Sequence, residues 1–308
     1  SILNEIRGLP FEWQGKQFPV QCSIGLVEMD ADSNDPQTLL NIGDEACYLA
    51  KDRGRNRIQV YSQDDIQLEY RQKEKQQISA IKNALENNRF VLYAQEIRSL
   101  DKSRKSLHFE VLIRMLDDND QPVAPFHFLP AAERYNLILD IDNYVMDKTF
   151  SWLSDNQDMQ KQINTCSINL SGQSMNNPNL LEQIRDLLDK YHVSPKKICF
   201  EVTETFALSN LNQSIIVINK LRNLGCRFAL YDFGSVYSSF AYLQNLPAYY
   251  LKIDGSFVKD INKNEVNKAM VRSINELGHV TGKKTIAEFV ENDEVLKILE
   301  SIGVDYVQ

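Results

Sequence analysis

The sequence predicts an α/β fold for residues 78–308, in the form of a (β/α)8 barrel. Short apolar runs alternate with helix-like stretches, eight such runs occur, and each carries a polar residue near its C-terminal end. Alternation of this kind is typical of parallel βα units. A complete barrel needs about 250 residues, so we expect the 231 available ones to stop inside the last strand. The eight runs are 90–97, 107–113, 166–170, 198–204, 227–233, 249–255, 284–289 and 306–308.

The first 62 residues predict a separate unit. Residues 19–30 alternate apolar and polar side chains like a strand, 36–54 have apolar residues at helical spacing, and 56–62 form a second strand pattern. Gly54 supplies a stop for the helix. Residues 63–77 are almost entirely polar and predict a helical linker with a solvated face. The expected organisation is therefore a partial α+β domain, a linker and a barrel.

The composition excludes several classes of protein. With 34 basic and 42 acidic residues among 308, the net charge is −8, which argues against binding a nucleic-acid polymer or an anionic membrane. No apolar stretch of 18 residues and no signal-peptide pattern occurs. The five cysteines are widely spaced without a CxxC motif, which favours free thiols over a zinc site or disulfides. We therefore expect the cytoplasm, or the cytoplasmic part of a larger sensor protein.

Polar side chains mark the C-terminal ends of the predicted strands. If the strands form one parallel barrel, these residues form a ring at its mouth, where barrel active sites lie; the alternative is eight unrelated surface residues. Carboxylate and amide oxygens suit Mg²⁺, Mn²⁺ or Ca²⁺, and an oxygen-lined two-metal site is a recurring solution for phosphodiester hydrolysis. One lysine among them could orient a water or balance developing charge. The ring comprises Gln95, Glu110, Asn169, Glu201, Asp232, Lys252, Glu288 and Gln308.

Sequence motifs along the barrel resemble those of the EAL domain family of bacterial cyclic di-GMP phosphodiesterases, which have a TIM-like barrel. The matching segments occur in the family's order: YAQEI (93–97), EVLIR (110–114), INLSG (168–172), EVTET (201–205), YDFGSVYSS (231–239), LKIDGSFV (251–258), IAEFVEN (286–292) and GVDYVQ (303–308). Residues 1–62 resemble the C-terminal half of a GGDEF domain, which is diguanylate cyclase-like, through SIGL (23–26) and DEACYLAKDRGRNRI (44–58). The GGDEF turn itself is absent from this sequence, so no cyclase activity is expected.

The resemblance implies a role for each site residue. Mg²⁺ or Mn²⁺ would occupy two sites, and the prototype reaction opens cyclic di-GMP to linear pGpG. A homodimer through the loops after the Asp232 strand is also a family expectation. The implied roles are the first metal for Glu110, Asn169 and Glu201; the second metal and attacking water for Asp232 and Glu288; water orientation for Lys252; phosphate contact for Arg114; ligand contact for Gln95 and Gln308; and a loop anchor for Glu204.

Tyr231 is the main departure from the family pattern. The family usually has two adjacent aspartates here, and the first bridges the metals, whereas this chain has Tyr231 followed by Asp232. A neutral phenol with a pKa near 10 is a poor metal ligand, and losing one carboxylate could lower turnover about 10²-fold. Three hypotheses follow: a phosphodiesterase of reduced activity, a catalytically impaired cyclic di-GMP receptor that signals through dimerisation or the linker, and a purely structural barrel.

Overall fold

The computed structural model describes residues 2–7, 10–13, 16–19, 22–29, 36–52, 56–61, 76–101, 103, 106–234 and 240–308. Two compact units are present, with the boundary between residues 77 and 78. Within the described residues, no helix is both long and apolar enough to cross a bilayer.

The N-terminal unit contains two small sheets. Helix α1 (Ile2–Arg7) precedes the antiparallel pair β1 (Pro10–Trp13) and β2 (Lys16–Pro19). Strand β3 (Ile24–Leu26) pairs in parallel with β4 (Ile58–Val60), and helix α2 (Pro36–Asp52) connects them.

Helix α2 packs closely against β3. Ala46 and Leu49 are buried on the helix with Tyr61 against them, and a Cβ at Gly25 would overlap the backbone carbonyl oxygen of Gly43. The strands are shorter than the sequence pattern suggested. Gly54 and residues 63–75 of the predicted linker lie outside the described residues, whereas its last two residues, 76 and 77, are helical. The linker therefore stays a prediction.

The C-terminal unit is the predicted barrel. Its strands are β5 (Phe90–Glu96), β6 (Arg98–Ser99), β7 (Leu107–Leu116), β8 (Pro122–Val123), β9 (Ile163–Asn169), β10 (Ile198–Thr203), β11 (Arg227–Phe233), β12 (Tyr250–Ile253), β13 (Lys284–Ala287) and β14 (Tyr306–Val307). Its helices are α3 (76–86), α4 (Leu129–Arg134), α5 (Ile138–Asp155), α6 (Gln157–Gln162), α7 (Gly172–Asn176), α8 (Leu180–Tyr191), α9 (Glu204–Ser209), α10 (Leu211–Leu224), α11 (Gly255–Val258), α12 (Glu265–Val280) and α13 (Asp293–Ile302). Single 3-10 turns occur at Pro125–His127, Pro195–Lys197 and Phe240–Gln244.

Seven strands run parallel to one another around the barrel, in the order β7, β9, β10, β11, β12, β13 and β14. Strands β5 and β6 are separated only by Ile97, and this one segment pairs with β7 on one side and β14 on the other. The barrel is therefore closed. The α/β barrel prediction is confirmed, with one correction to the expected direction of a strand.

The first strand does not run parallel to its neighbours. Strand β5 pairs antiparallel to β7, and β6 pairs antiparallel to β14. Only residues 100–106 connect β6 to β7. A parallel connection needs a crossover of a dozen or more residues, so this segment can form only an antiparallel pairing. The expectation of parallel βα units throughout was wrong for this strand.

A layer of mainly apolar and aromatic side chains fills the interior of the barrel. Tyr250 lies 5.1 Å from His108 and 5.7 Å from Tyr306, measured between ring centroids. Because successive side chains of a strand alternate between faces, the residue two positions further along each strand also points inward. The layer contains Ile97, Cys199, Ala229, Tyr250, Ile286 and Tyr306.

Candidate functional site

The inward positions above the apolar layer carry the polar residues that the sequence singled out. Glu201 follows Cys199 by two positions on β10, and Lys252 follows Tyr250 in the same way on β12. Beyond β13 and β14, Glu288 and Gln308 have the same spacing from Ile286 and Tyr306. Strand alternation therefore places these side chains together at the mouth, with an apolar floor below them.

The ammonium group of Lys252 joins three carboxylates. Its Nζ lies 2.7 Å from Glu110 Oε2, 2.9 Å from Glu201 Oε2 and 2.9 Å from Glu288 Oε1. The Lys252 residue is only 1% exposed and Glu201 is fully buried. If all four groups are ionised, the cluster holds two negative charges in excess, which favours binding of a further cation.

Two amides orient the Glu110 carboxylate. Asn169 Nδ2 donates to Oε1 at 2.6 Å, and Gln308 Nε2 donates to Oε2 at 2.7 Å. Asn169 belongs to β9 and Gln308 follows β14, which lie far apart in the sequence but both reach the mouth. The cluster therefore consists of Glu110, Asn169, Glu201, Lys252, Glu288 and Gln308.

Burial and charge shift the pKa values of the cluster in opposite directions. Burial raises the pKa of Glu201 to about 7, and burial also raises that of Glu288, although Lys252 opposes the shift in both. Burial likewise raises the pKa of Glu110, but Lys252 and the hydrogen bonds from Gln308, Lys252 and Asn169 together lower it below its usual value. The carboxylates outweigh the burial of Lys252 and hold its pKa well above the usual range.

Two buried oxygen atoms in the cluster have no hydrogen-bond partner among the described residues. They are Oε1 of Glu201 and Oε1 of Gln308. The Ser167 hydroxyl is near enough to favour the charged form of Glu201, but it does not meet Oε1 in hydrogen-bond geometry. Buried acceptors without a partner of this kind are typical of sites that bind a water or an ion. The donor set is all hard oxygen, which fits Mg²⁺ or Mn²⁺.

The described residues do not already form a metal-binding geometry. No three of their Asp, Glu, His or Cys side chains are grouped as ligands around one point. The carboxylate oxygens instead converge on the Lys252 ammonium, so a bound cation would have to share or displace those contacts. The chemistry of the donors therefore fits a divalent cation, although the side chains are arranged around an ammonium.

Tyr231 lies on the inward face of β11 and faces the cluster. It is two positions after Ala229 of the apolar layer, and it pairs with Thr203 in the neighbouring strand. Burial raises the pKa of the Tyr231 phenol, and Asp232, Glu201 and Glu110 raise it further. The phenol is therefore neutral at physiological pH and stands in the electrostatic field of the carboxylates, where it supplies no negative charge.

Asp232 lies at an irregularity of the barrel. Its φ is +55°, in the left-handed region, and the register between β11 and β12 shifts between Leu230 and Phe233. Such bulges re-aim side chains and are frequent beside active sites. Burial raises the pKa of Asp232, and the nearby Asp254 raises it further. Asp254, which the sequence analysis did not select, therefore belongs to the electrostatic surroundings of the site.

Gln95 and Arg114 lie beside the cluster rather than within it. Gln95 pairs with Glu110 across the antiparallel β5–β7 ladder and is exposed, so it reaches the mouth by pairing and not by ending a parallel strand. Arg114 lies four residues after Glu110 on the same strand. Its Nη1 donates to the carbonyl oxygen of Ile113 at 2.8 Å, and its guanidinium lies 5.5 Å from the centre of the Tyr93 ring.

Glu204 connects the two ends of the loop that follows β11. The backbone N–H of Gly234 donates to Glu204 Oε2 at 2.9 Å, and the Tyr242 hydroxyl donates to Oε1. Both contacts are to residues that flank 235–239, which lie outside the described residues. The predicted dimer contact falls on this loop and stays a prediction.

A buried aspartate that the sequence analysis missed supports the Asn169 strand. Asp142 Oδ2 on α5 accepts hydrogen bonds from the Ser171 N–H at 2.9 Å and from the Ser174 hydroxyl at 2.6 Å. It thereby fixes the turn directly after Asn169. The signal was an acidic residue within the apolar face of a helix, beside Ile141 and Val145.

The fold and the mouth cluster define an α/β barrel with three carboxylates grouped around a buried lysine at its mouth. Residues 78–308 match the EAL domain, and the chain belongs to that family. It is 40% identical over 291 residues to the cyclic di-GMP phosphodiesterase PdeB of Shewanella oneidensis, covering 94% of this chain and 34% of that protein. It is 37% identical over 231 residues to the cyclic di-GMP phosphodiesterase PdeF of Escherichia coli, covering 75% and 30% respectively.

Solved structures of EAL domains are also similar. The PaMucR phosphodiesterase in complex with c-di-GMP has a TM-score of 0.71 at 28% identity, covering 76% of this chain and 94% of that one. The Pseudomonas aeruginosa FimX EAL domain bound to c-di-GMP has a TM-score of 0.70 at 31% identity, covering 75% and 93%. The chain spans about a third of the length of the curated relatives it matches.

Proposed function

We propose that this chain binds cyclic di-GMP at the barrel mouth and hydrolyses it to linear pGpG, as an EAL-type phosphodiesterase. The observation that carries the proposal is the buried cluster of three carboxylates around Lys252, with two orphaned oxygen acceptors that suit a cation. The names of the relatives and the c-di-GMP complexes of the structural neighbours support the same substrate.

The residues of the mouth would have different roles in metal binding, water activation and ligand contact. Glu110, Asn169 and Glu201 would hold a first Mg²⁺ or Mn²⁺, whereas Asp232 and Glu288 would serve a second cation and the attacking water. Divalent cations would supply Lewis acidity and lower the pKa of the bound water. Lys252 would orient the water and offset developing negative charge. Arg114, whose planar fork suits a phosphate, would contact the ligand together with Gln95 and Gln308.

A second candidate function is a cyclic di-GMP receptor with impaired catalysis. The inward position of Tyr231 supports it, because the family resemblance implies a metal-bridging aspartate at this position and the phenol of Tyr231 is neutral. The binding residues Gln95 and Arg114 are present in either case. On this basis we propose slow turnover, lowered about 10²-fold by the missing carboxylate.

Turnover and binding separate the two candidates. The purified chain is incubated with cyclic di-GMP and Mn²⁺, and pGpG is followed by chromatography. Product that disappears in Glu110→Ala but persists in the exposed control Glu276→Ala supports the phosphodiesterase. Micromolar binding without product supports the receptor. A chain that neither binds nor hydrolyses cyclic di-GMP contradicts both functions.

We propose that residues 1–62 are the C-terminal half of a GGDEF-like domain without cyclase activity, supported by the parallel β3–β4 pair and the connecting helix α2. Residues 63–77 are proposed as its linker to the barrel. We also propose that the protein forms a homodimer through the barrel and lies in the cytoplasm.

A further inference from the structure

Phe289 is an exposed aromatic residue that directly follows Glu288 of the mouth cluster. The residue is 65% exposed, which is unusual for a large apolar side chain beside a buried polar site. Its neighbour in sequence, Glu288, contacts Lys252 at 2.9 Å. Phe289 therefore stands at the rim of the mouth, one residue away from a group proposed to act on the substrate.

The backbone holds Phe289 in an unfavourable conformation. Its φ is +58°, in the left-handed region that bulky residues rarely adopt. The chain is fixed on both sides, because Glu288 is bound to Lys252 and the Val290 N–H donates to the carbonyl oxygen of Gln308 at 2.9 Å. Strained residues persist where the surroundings determine them, and they cluster at functional sites.

The Phe289 ring packs directly against the backbone of Gly255. A Cβ built at Gly255 would overlap the Cδ2, Cε2 and Cγ atoms of Phe289, so the ring lies directly on the glycine backbone. Gly255 is buried at the start of α11, and Asp254 caps that helix through a 2.7 Å bond to the Ser256 N–H. The ring is thus supported on one side by rigid backbone, whereas most of its surface remains in solvent.

We propose that Phe289 is a specificity-determining residue that stacks on a purine base of the cyclic dinucleotide. The inference rests on the proposed function, because the base belongs to that substrate. A supported aromatic ring with free surface is a stacking platform, and each base of a cyclic dinucleotide lies one ribose away from a phosphate. Stacking on an aromatic side chain commonly contributes enough to change affinity about 5- to 100-fold.

The test uses substitutions that separate stacking from simple hydrophobic contact. Phe289→Ala should raise the dissociation constant about 5- to 100-fold and raise KM more than it lowers kcat, whereas Phe289→Trp should retain binding. Phe289→Leu keeps apolar bulk but has no π-face, so it should bind like Phe289→Ala. Gly255→Ala leaves the phenylalanine in the sequence but should still weaken binding, because the new methyl group displaces the Phe289 ring from its position.

Binding is measured by calorimetry in EDTA, where metal-dependent turnover cannot occur, and KM and kcat are measured with Mn²⁺. Val280→Ala is the matched control, since Val280 is 87% exposed and ends α12 at the opposite face of the barrel. Phe289→Gly relieves the left-handed strain and should melt no lower than the wild type while binding weakly. This pairing of retained stability with lost binding is not expected of a structural role.

Two results would overturn the inference by different routes. If the wild type binds cyclic di-GMP and Phe289→Ala or Phe289→Leu binds equally well, the stacking role is wrong and the proposed function stands. If the wild type binds and hydrolyses no cyclic di-GMP under either condition, the proposed function and the stacking role fall together.

Discussion

Replacing Lys252 with methionine should destabilise the barrel strongly, because it removes the cation that joins three buried carboxylates. The three N–O distances are 2.7, 2.9 and 2.9 Å, and both Lys252 and Glu201 are almost completely buried. One ion pair at such a distance is worth about 6 kcal/mol with an effective dielectric constant of 20, but the desolvation of both charges offsets much of it. Measured losses on breaking a buried pair are about 3–5 kcal/mol.

The assay is thermal unfolding without metal. A loss of about 3–5 kcal/mol corresponds to a decrease in Tm of roughly 6–20 °C for a domain of this size. Lys190→Met is the matched control, because Lys190 Nζ lies 2.9 Å from Asp147 Oδ1 but the two side chains are 58% and 39% exposed. An exposed pair contributes at most about 1 kcal/mol, so the control should melt within a few degrees of the wild type.

Lower pH and divalent cations should both reduce the loss of folding stability caused by Lys252→Met. Lys252 lowers the pKa of Glu110, Glu201 and Glu288, so its removal raises all three. The folded variant therefore binds protons that the unfolded chain releases, which stabilises it as the pH falls. The difference in unfolding free energy between the wild type and the variant should decrease between about pH 8 and pH 5. Mn²⁺ should also decrease this stability difference, because the bound cation replaces the positive charge of the ammonium group. A loss below about 1 kcal/mol, or one that neither protons nor Mn²⁺ reduce, would refute this account of the cluster.

Three further predictions concern the proposed metal site and the loop that follows β11. Tyr231→Asp should raise Mn²⁺-dependent hydrolysis about 10²-fold, measured as pGpG formation, and an equal gain in the uncharged Tyr231→Asn would contradict the role of the carboxylate. The Mn²⁺ affinity of the wild type should fall by up to about tenfold per pH unit below about pH 7, because Glu201 becomes protonated there. Calorimetry measures this affinity, and a value that does not change between about pH 8 and pH 5.5 would argue against Glu201 as a ligand. Glu204→Gln should speed amide exchange at Gly234 about tenfold, because Gly234 and the Tyr242 hydroxyl donate to different oxygens of Glu204 and the amide nitrogen that replaces one of them cannot accept. Unchanged exchange would show that other contacts hold the loop.

Strand alternation made most of the mouth cluster predictable. In a barrel strand, every second side chain points inward, so a polar residue two positions after a buried apolar one has a defined place. Glu201 after Cys199 and Lys252 after Tyr250 follow this rule. The family resemblance of the motifs, confirmed by the EAL match over residues 78–308, identified the same residues independently of geometry.

Other features depended on contacts between distant parts of the chain. The direction of β5 could have been inferred from the short connection that leads to β7, but the strand–helix alternation of the other segments suggested a parallel strand here as well. Asp142 carried only a weak signal, since one acidic residue on an apolar helix face does not reveal which turn it supports. Phe289 carried none, because a left-handed φ at a phenylalanine arises from the fixed backbone around it.

By itself the sequence determined the barrel, the family and the six members of the mouth cluster, because local periodicity and motif order can be read directly from the chain. Only the tertiary structure decided how those residues meet. Lys252 bridges Glu110, Glu201 and Glu288 across strands that are up to 178 residues apart in sequence, which no local pattern specifies. The physical reason is that ion pairing in a buried site depends on distance and desolvation, and both are set only when the barrel closes.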